Sequence, residues 1–166
     1  MRIVIAVMLA LFAAPVIADD TLPKAVAEAG FKTADCTMNF DEAYAAVEMF
    51  DLPGGQKLFV LPCWRAAYQS GGAMFAMDKA GQARLLSFKS WDGKKYVTVQ
   101  TLTEVDFVNE TNTLTSFHKG RGIGDCGSIG EWSWAGSEFK LKGYWYKEKC
   151  DGNPFEGSRR WKIFPR

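Results

Sequence analysis

The chain has 166 residues, with 20 basic and 19 acidic side chains, one histidine and a net charge of +1 at pH 7. A near-neutral balance with no Lys/Arg run argues against nucleic acid and anionic membrane surfaces as partners, since both are held by clustered positive charge. Past the N-terminal segment, no apolar run approaches the about 20 residues that a membrane span needs.

The N-terminus carries its own signal. Arg2 precedes an apolar run from Ile3 to Ile17, and Ala18 closes it ahead of Asp19 and Asp20. A short basic start, an apolar core and a small residue at the cut form the secretory pattern. The sequence therefore predicts a signal peptide over 1–18 and one mature domain over 19–166, neutral, free of the membrane after cleavage and large enough to bury a core. No cysteine follows the apolar run until Cys36, which argues against a lipid-modified N-terminus.

Export sets the redox expectation. The four cysteines are Cys36, Cys63, Cys126 and Cys150. In an oxidising compartment an even count points to disulfides. Three pairings are possible, and Cys36–Cys63 with Cys126–Cys150 is favoured because each closes a local loop, worth about 3–4 kcal/mol in the chain-entropy model. With no C-x-x-C spacing and a single histidine, the pattern predicts no metal site, and nothing in it implies a cofactor.

Along the mature chain, LPKAVAEAG favours a short helix with Gly30 as its stop. Asn39 can cap a second helix over about Asp41–Phe50, with an apolar stripe of Tyr44, Val47 and Phe50, and Pro53-Gly54-Gly55 turns the chain. From Lys57 onward the periodicity is that of β-structure. Strands are predicted over Lys57–Pro62, Gly72–Met77, Ala83–Phe88, Lys89–Trp91, Lys94–Leu102, Glu104–Val108, Thr113–His118, Glu131–Trp134, Glu138–Lys147 and Arg160–Phe164. On the Glu138–Lys147 strand, alternation puts Phe139, Leu141 and Trp145 on one face and Lys140, Lys142 and Tyr144 on the other. Short strands with tight turns argue a mainly β (α+β) fold: an antiparallel meander, curled or sandwich-like, with one or two N-terminal helices packed on it. Between two strands lies GRGIGDCGSIG, Gly120–Gly130, with five glycines in eleven positions.

Two stretches carry a resemblance: Leu61-Pro62-Cys63-Trp64-Arg65-Ala66-Ala67-Tyr68, and the run from Leu114 to Gly127 that includes His118-Lys119-Gly120-Arg121, followed by Glu131-Trp132-Ser133-Trp134 and Cys150. From about Asp35 onward the chain resembles the bacterial exported family called domain of unknown function 1176, specifically the C-terminal half of its longer members. That resemblance implies the periplasm of a Gram-negative bacterium and implies no activity.

The residues themselves offer limited chemistry. The glycine-rich loop lacks the Gly-Lys-Ser/Thr ending of a phosphate loop, so it predicts either a recognition loop or a disulfide-pinned turn. His118 and Cys126 could form a nucleophile pair, but a disulfide partner at Cys150 removes the thiolate. No G-x-S-x-G elbow occurs in the mature chain. The expectation is a non-catalytic binding module that uses the Gly120–Gly130 loop, with His118, Lys119, Arg121, Asp125, Glu131, Trp132 and Trp134 as candidate contacts, to hold a periplasmic protein or an envelope glycan. One form would be a small inhibitor that presents a pinned loop to a hydrolase, by analogy of size and architecture alone. The alternative is a glycan hydrolase using Asp125 and Glu131.

Overall fold

A computed structural model describes residues 20–155 and 159–165. The expected signal peptide over 1–18 lies outside the described residues, as does the 156–158 part of the Cys150–Ser158 loop. The chain is mainly β, built from antiparallel sheets that are not closed into a barrel. Among the described residues no helix is long and apolar enough to cross a membrane.

Two helices come first, α1 (Lys24–Thr33) and α2 (Phe40–Ala45). The first sheet contains β1 (Glu48–Leu52), β2 (Gln56–Arg65), β3 (Ser70–Met77) and β4 (Ala83–Leu85) in sequence order. The chain then leaves this sheet for a two-stranded ribbon, β5 (Phe88–Trp91) and β6 (Tyr96–Val99), and returns as β7 (Thr101–Thr103), which pairs with β3. The second sheet is a meander of β8 (Val105–Val108), β9 (Thr113–Lys119), β10 (Gly127–Trp134), β11 (Phe139–Lys147) and β12 (Lys162–Phe164).

Period-two burial explains the layering. Leu58, Met74 and Ala76 on one face of the first sheet meet Phe107, Leu114, Trp132, Phe139 and Tyr144 on the second, with Phe88 from the ribbon, in one core. The opposite face of the first sheet carries Phe59, Leu61, Ala73, Phe75 and Met77, and the helices cover it with Ala27, Phe31 and Ala43. A disulfide between Cys36 and Cys63 ties the segment between the helices to β2. Thr37 and Met38 both donate backbone N–H bonds to the Cys63 carbonyl, at 2.9 and 3.1 Å.

Several local expectations are corrected. Gly30 does not end α1; it is buried within it, because a Cβ there would run into the Phe75 ring. The helix stops three residues later, at Thr33, and beyond it Asp35 takes a left-handed φ of 52° and the Cys36 N–H returns to the Phe31 carbonyl. Asn39 does cap α2, accepting from the Glu42 N–H at 3.1 Å, but the helix ends at Ala45. The segment holding Phe50 is an edge strand whose register pairs Phe50 with Leu58, so tertiary pairing overrides the helical stripe. The predicted strand over Ala83–Phe88 splits at Leu86, and that over Lys94–Leu102 splits at Gln100, because each half belongs to a different sheet. At the C-terminus, Arg159–Trp161 is a 3-10 turn, leaving Lys162–Phe164 as strand.

The faces of β11 are also corrected. A bulge between the Trp132–Leu141 and Glu131–Gly143 pairs makes Lys142 an extra residue. The alternation therefore changes phase, and Tyr144 joins Phe139 and Leu141 in the inter-sheet core while Trp145 faces outward. The helices do not cover that outer face. Lys162 lies over the Trp145 ring instead, at 5.3 Å.

Replacement of Gly30 by Ala should push a methyl group into the Phe75 ring and lower stability by about 1–3 kcal/mol. Urea denaturation of the two proteins measures the difference.

Candidate functional site

The β9–β10 connection is shorter than the glycine pattern suggested. Residues Gly127–Gly130 are strand, leaving Gly120–Cys126 as the loop. Its base is closed by a Cys126–Cys150 disulfide and by a Gly120 N–H bond to the Cys126 carbonyl at 2.9 Å. Gly127 has a φ of +129°, and a Cβ there would collide with the His118 carbonyl, so only glycine fits where the loop enters β10.

A second lock lies inside the loop. Arg121 donates from Nε and Nη2 to both oxygens of Asp125, at 2.7 and 2.5 Å, and the Gly152 N–H donates to Oδ2 at 2.6 Å. Asp125 is 3% exposed. The Arg121 bonds, then the Gly152 N–H, hold its carboxyl well below the usual carboxylate range, while burial opposes them. The same pair raises the Arg121 guanidinium. Bidentate pairing of this kind satisfies a carboxylate that would otherwise be costly to bury.

The C-terminal segment supplies the third lock. Lys147, at the end of β11, is 1% exposed. Its Nζ donates to Asp151 Oδ1 at 2.6 Å and to the Asn153 carbonyl at 2.8 Å, and it lies 5.2 Å from the Trp161 ring centroid. The Lys147 bond, then the Asn153 N–H, draws the Asp151 carboxyl down to about 2. Asp125, Cys126 and Cys150 place three potential ligand atoms within 4.8 Å of one another. Both sulfurs are spent in the disulfide and the carboxylate is held by Arg121, so the trio has no free metal-binding set.

The locked loop and the turn beside it present two large apolar side chains to solvent. Ile123 at the loop crest is 73% exposed, and Tyr68, from the β2–β3 turn, is 49% exposed. The two turns are joined. The Gln69 side chain accepts from the Lys119 N–H at 3.0 Å and donates to the Lys119 carbonyl at 3.4 Å. Lys119 Nζ donates to the Tyr68 carbonyl at 3.4 Å and lies 3.6 Å from Glu104. Arg65, exposed at the end of β2, makes no ion pair among the described residues.

The predicted site residues divide accordingly. Lys119, Arg121 and Asp125 build the loop and its base. His118 lies at the end of β9, with Nδ1 3.4 Å from Thr103 Oγ1, beneath the loop rather than on it. Trp132 is core at 1% exposure, and its Nε1 donates to the Lys89 carbonyl at 3.2 Å. Trp134 packs against the Phe139 ring, centroids 5.1 Å apart. Glu131 faces outward in mid-strand, paired across to Thr115 and Gly143. From Gly127 to Glu131 the strand advances about 13 Å. Paired glycosidase carboxylates stand about 5–9.5 Å apart, and one must carry a proton. Asp125, far down the loop and fully engaged by Arg121, does not supply that partner.

Tyr68, Ile123 and Gln69 escaped the sequence analysis. Ile123 is the one large apolar residue between Gly120 and Asp125, which is a usable signal. Nothing local links Gln69 to Lys119, since the contact spans 50 positions.

Comparison with known proteins gives a family without an activity. The chain matches the family described as Protein of unknown function (DUF1176) over residues 10–164 and belongs to it. No curated protein and no solved structure matches it.

The locks have a defined pH signature. Asp125 and Asp151 both have lowered folded pKa values, so the stability they contribute is present above the ordinary aspartate pKa, near 4. It is lost as pH falls toward the Asp151 value of about 2. Hydrogen exchange should show segments 120–126 and 150–155 losing protection over that window before the core does. Asp151→Asn should loosen both segments already at neutral pH and flatten the acid response. Unchanged protection down to the bottom of the window would contradict the assignment.

Proposed function

We propose that this chain is an exported, non-catalytic binding module of the Gram-negative periplasm that offers the Gly120–Cys126 loop to a protein partner. The observation that carries this reading is Ile123, 73% exposed at the crest of a loop held by a disulfide and a bidentate ion pair. An exposed apolar side chain on a mobile loop is unremarkable surface. On a pinned loop it is a pre-organised anchor, because little conformational entropy remains to be lost on binding. Tyr68 beside it adds a flat amphipathic face of the kind enriched at interfaces. The N-terminal secretory pattern and the two disulfides support export. A protein partner is favoured over an envelope glycan at this surface because its crest, Ile123, is aliphatic and fits an apolar pocket.

Burial of Ile123 in a partner pocket would be worth about 1.5–3 kcal/mol, roughly ten- to a hundredfold in affinity. A photo-reactive residue placed at 123 in cells should give a discrete adduct with one periplasmic protein. The same probe at Lys140, at the other end of the second sheet, should not. Purified wild-type protein should compete the adduct away, and Ile123→Asp should compete roughly ten- to a hundredfold less well. Identical adduct patterns from positions 123 and 140 would remove the reading.

A further inference from the structure

A groove of about 220 Å³ opens beside β2, between the first sheet and Val105 of β8. Its floor is bare backbone, supplied by Gly71 and Gly72 of β3. A bulge between Pro62 and Trp64 sets Trp64 opposite Gly71. A Cβ at Gly71 would run into the Trp64 indole, and one at Gly72 would come within 3.0 Å of Val60 Cγ1. The two glycines therefore let the indole lie directly against β3 as one wall of the groove. Trp64, Val60, Pro62 and Val105 are half-buried, so each keeps surface that a ligand can reach.

Opposite charges stand at the two ends. Among the described residues that line the groove, Glu48 and Arg65 are the charged ones, and both are exposed. Glu48 pairs across to Val60, and Arg65 to Ser70. From Val60 to Arg65 the bulged strand advances about 13–16 Å. The two side chains do not reach each other, and neither makes a hydrogen bond or ion pair among the described residues. The nearby Glu104 does not neutralise Arg65. It accepts from the Ser70 N–H at 2.7 Å and lies 3.6 Å from Lys119 Nζ, so it is already engaged.

We propose that this groove binds a short peptide with free termini, its ammonium at Glu48 and its carboxylate at Arg65. Either charge alone would be ordinary solvated surface. An acid and a base facing one apolar floor from opposite ends select a zwitterion, and the guanidinium fork suits a carboxylate. Length follows from the same geometry. An extended peptide of about three residues spans roughly 10 Å, the gap left once Glu48 and Arg65 reach in from the ends. A single amino acid carries both charges on one carbon and cannot touch both. Trp64, with Pro62, Val60 and Val105, receives an apolar side chain of the peptide. The Ile123 contact takes no part in this, and either proposal can fail without the other.

The test is a titration of ¹⁵N-labelled protein, followed at the Gly71 and Gly72 amides and at the Trp64 indole N–H, identified by its loss in Trp64→Phe. The probes are Ala-Leu and Ala-Ala-Leu, their N-acetylated and C-amidated forms, and free leucine. At least one free peptide should shift these resonances saturably with a Kd on the order of millimolar. Blocking either terminus should weaken binding about two- to fivefold, the worth of one exposed ion pair, and leucine should be weaker by at least as much. In Arg65→Gln the amidated and free peptides should bind alike while acetylation still weakens; Glu48→Gln should show the reverse. No saturable shift of wild type with either free peptide up to about 50 mM, well beyond a millimolar Kd, would overturn the inference. Blocked peptides that match the free ones would overturn the charge assignment, and leucine that matches them would overturn the length.

Discussion

The ring of Trp132 is the constraint on which the rest of the fold depends. It is fully buried between two open sheets, meets Phe88 and Tyr144 edge to face, and donates its N–H to a ribbon carbonyl at Lys89. One side chain on β10 therefore joins the second sheet to the ribbon and to the shared core. Burying an indole of this size with its N–H satisfied is among the larger single contributions a small β-protein can have. Its position also has consequences for its neighbours. Gly130 must lack a side chain so that the ring can lie over it. The bulge at Lys142 follows in the same region, because Tyr144 reaches the core beside Trp132 only if β11 changes phase.

The end of the molecule that carries Ile123 is held differently. Phe117 and the buried Phe155 meet there, ring centroids 6.0 Å apart, and the sequence adds a disulfide and two carboxylate locks. Removing one member of a buried ion pair leaves an uncompensated charge, so such pairs specify geometry more than they add stability. Asp125 is bound from within its own loop by Arg121 and from the C-terminal segment by Gly152. Lys147 reaches the same segment from β11. The two locks and the Cys126–Cys150 bond converge on residues 150–153, so loop and C-terminal segment order each other.

How much of this was legible in the sequence depended on the range of the interaction. The Asn39 cap spans three residues and was readable, as were the two disulfides, whose partners close short loops. Phe50 read as helical because its spacing fits a stripe, yet its partner Leu58 lies across a hairpin. The phase change at Lys142 could not be foreseen from alternation, since a bulge is a response to what the partner strand must bury. The glycine-rich stretch was recognised but overextended: Gly127 and Gly130 serve β10, one at its entry and one beneath an aromatic ring. Trp132 and Trp134 were candidate contacts by composition. The burial of Trp132 and the partial burial of Trp134 reflect two sheets closing face to face, which no local pattern encodes.

Loop and groove are adjacent through the β2–β3 turn, since Arg65 and Ser70 border the groove and Gln69 between them bonds Lys119. Adjacency raises the question of coupling, and the geometry argues against it. Through that turn, a signal from the groove to the loop meets Lys119, whose backbone is clamped on both sides by Gln69, and its partner Gly127, whose α-carbon is packed against the His118 carbonyl. Neither point has a second arrangement available without breaking the hydrogen bonds that join β9 to the β2–β3 turn. Coupling between sites requires an element with two states that both ligands bias. The Gln69–Lys119 bonds and the Gly127–His118 contact hold this junction of β9, β10 and the β2–β3 turn in one arrangement.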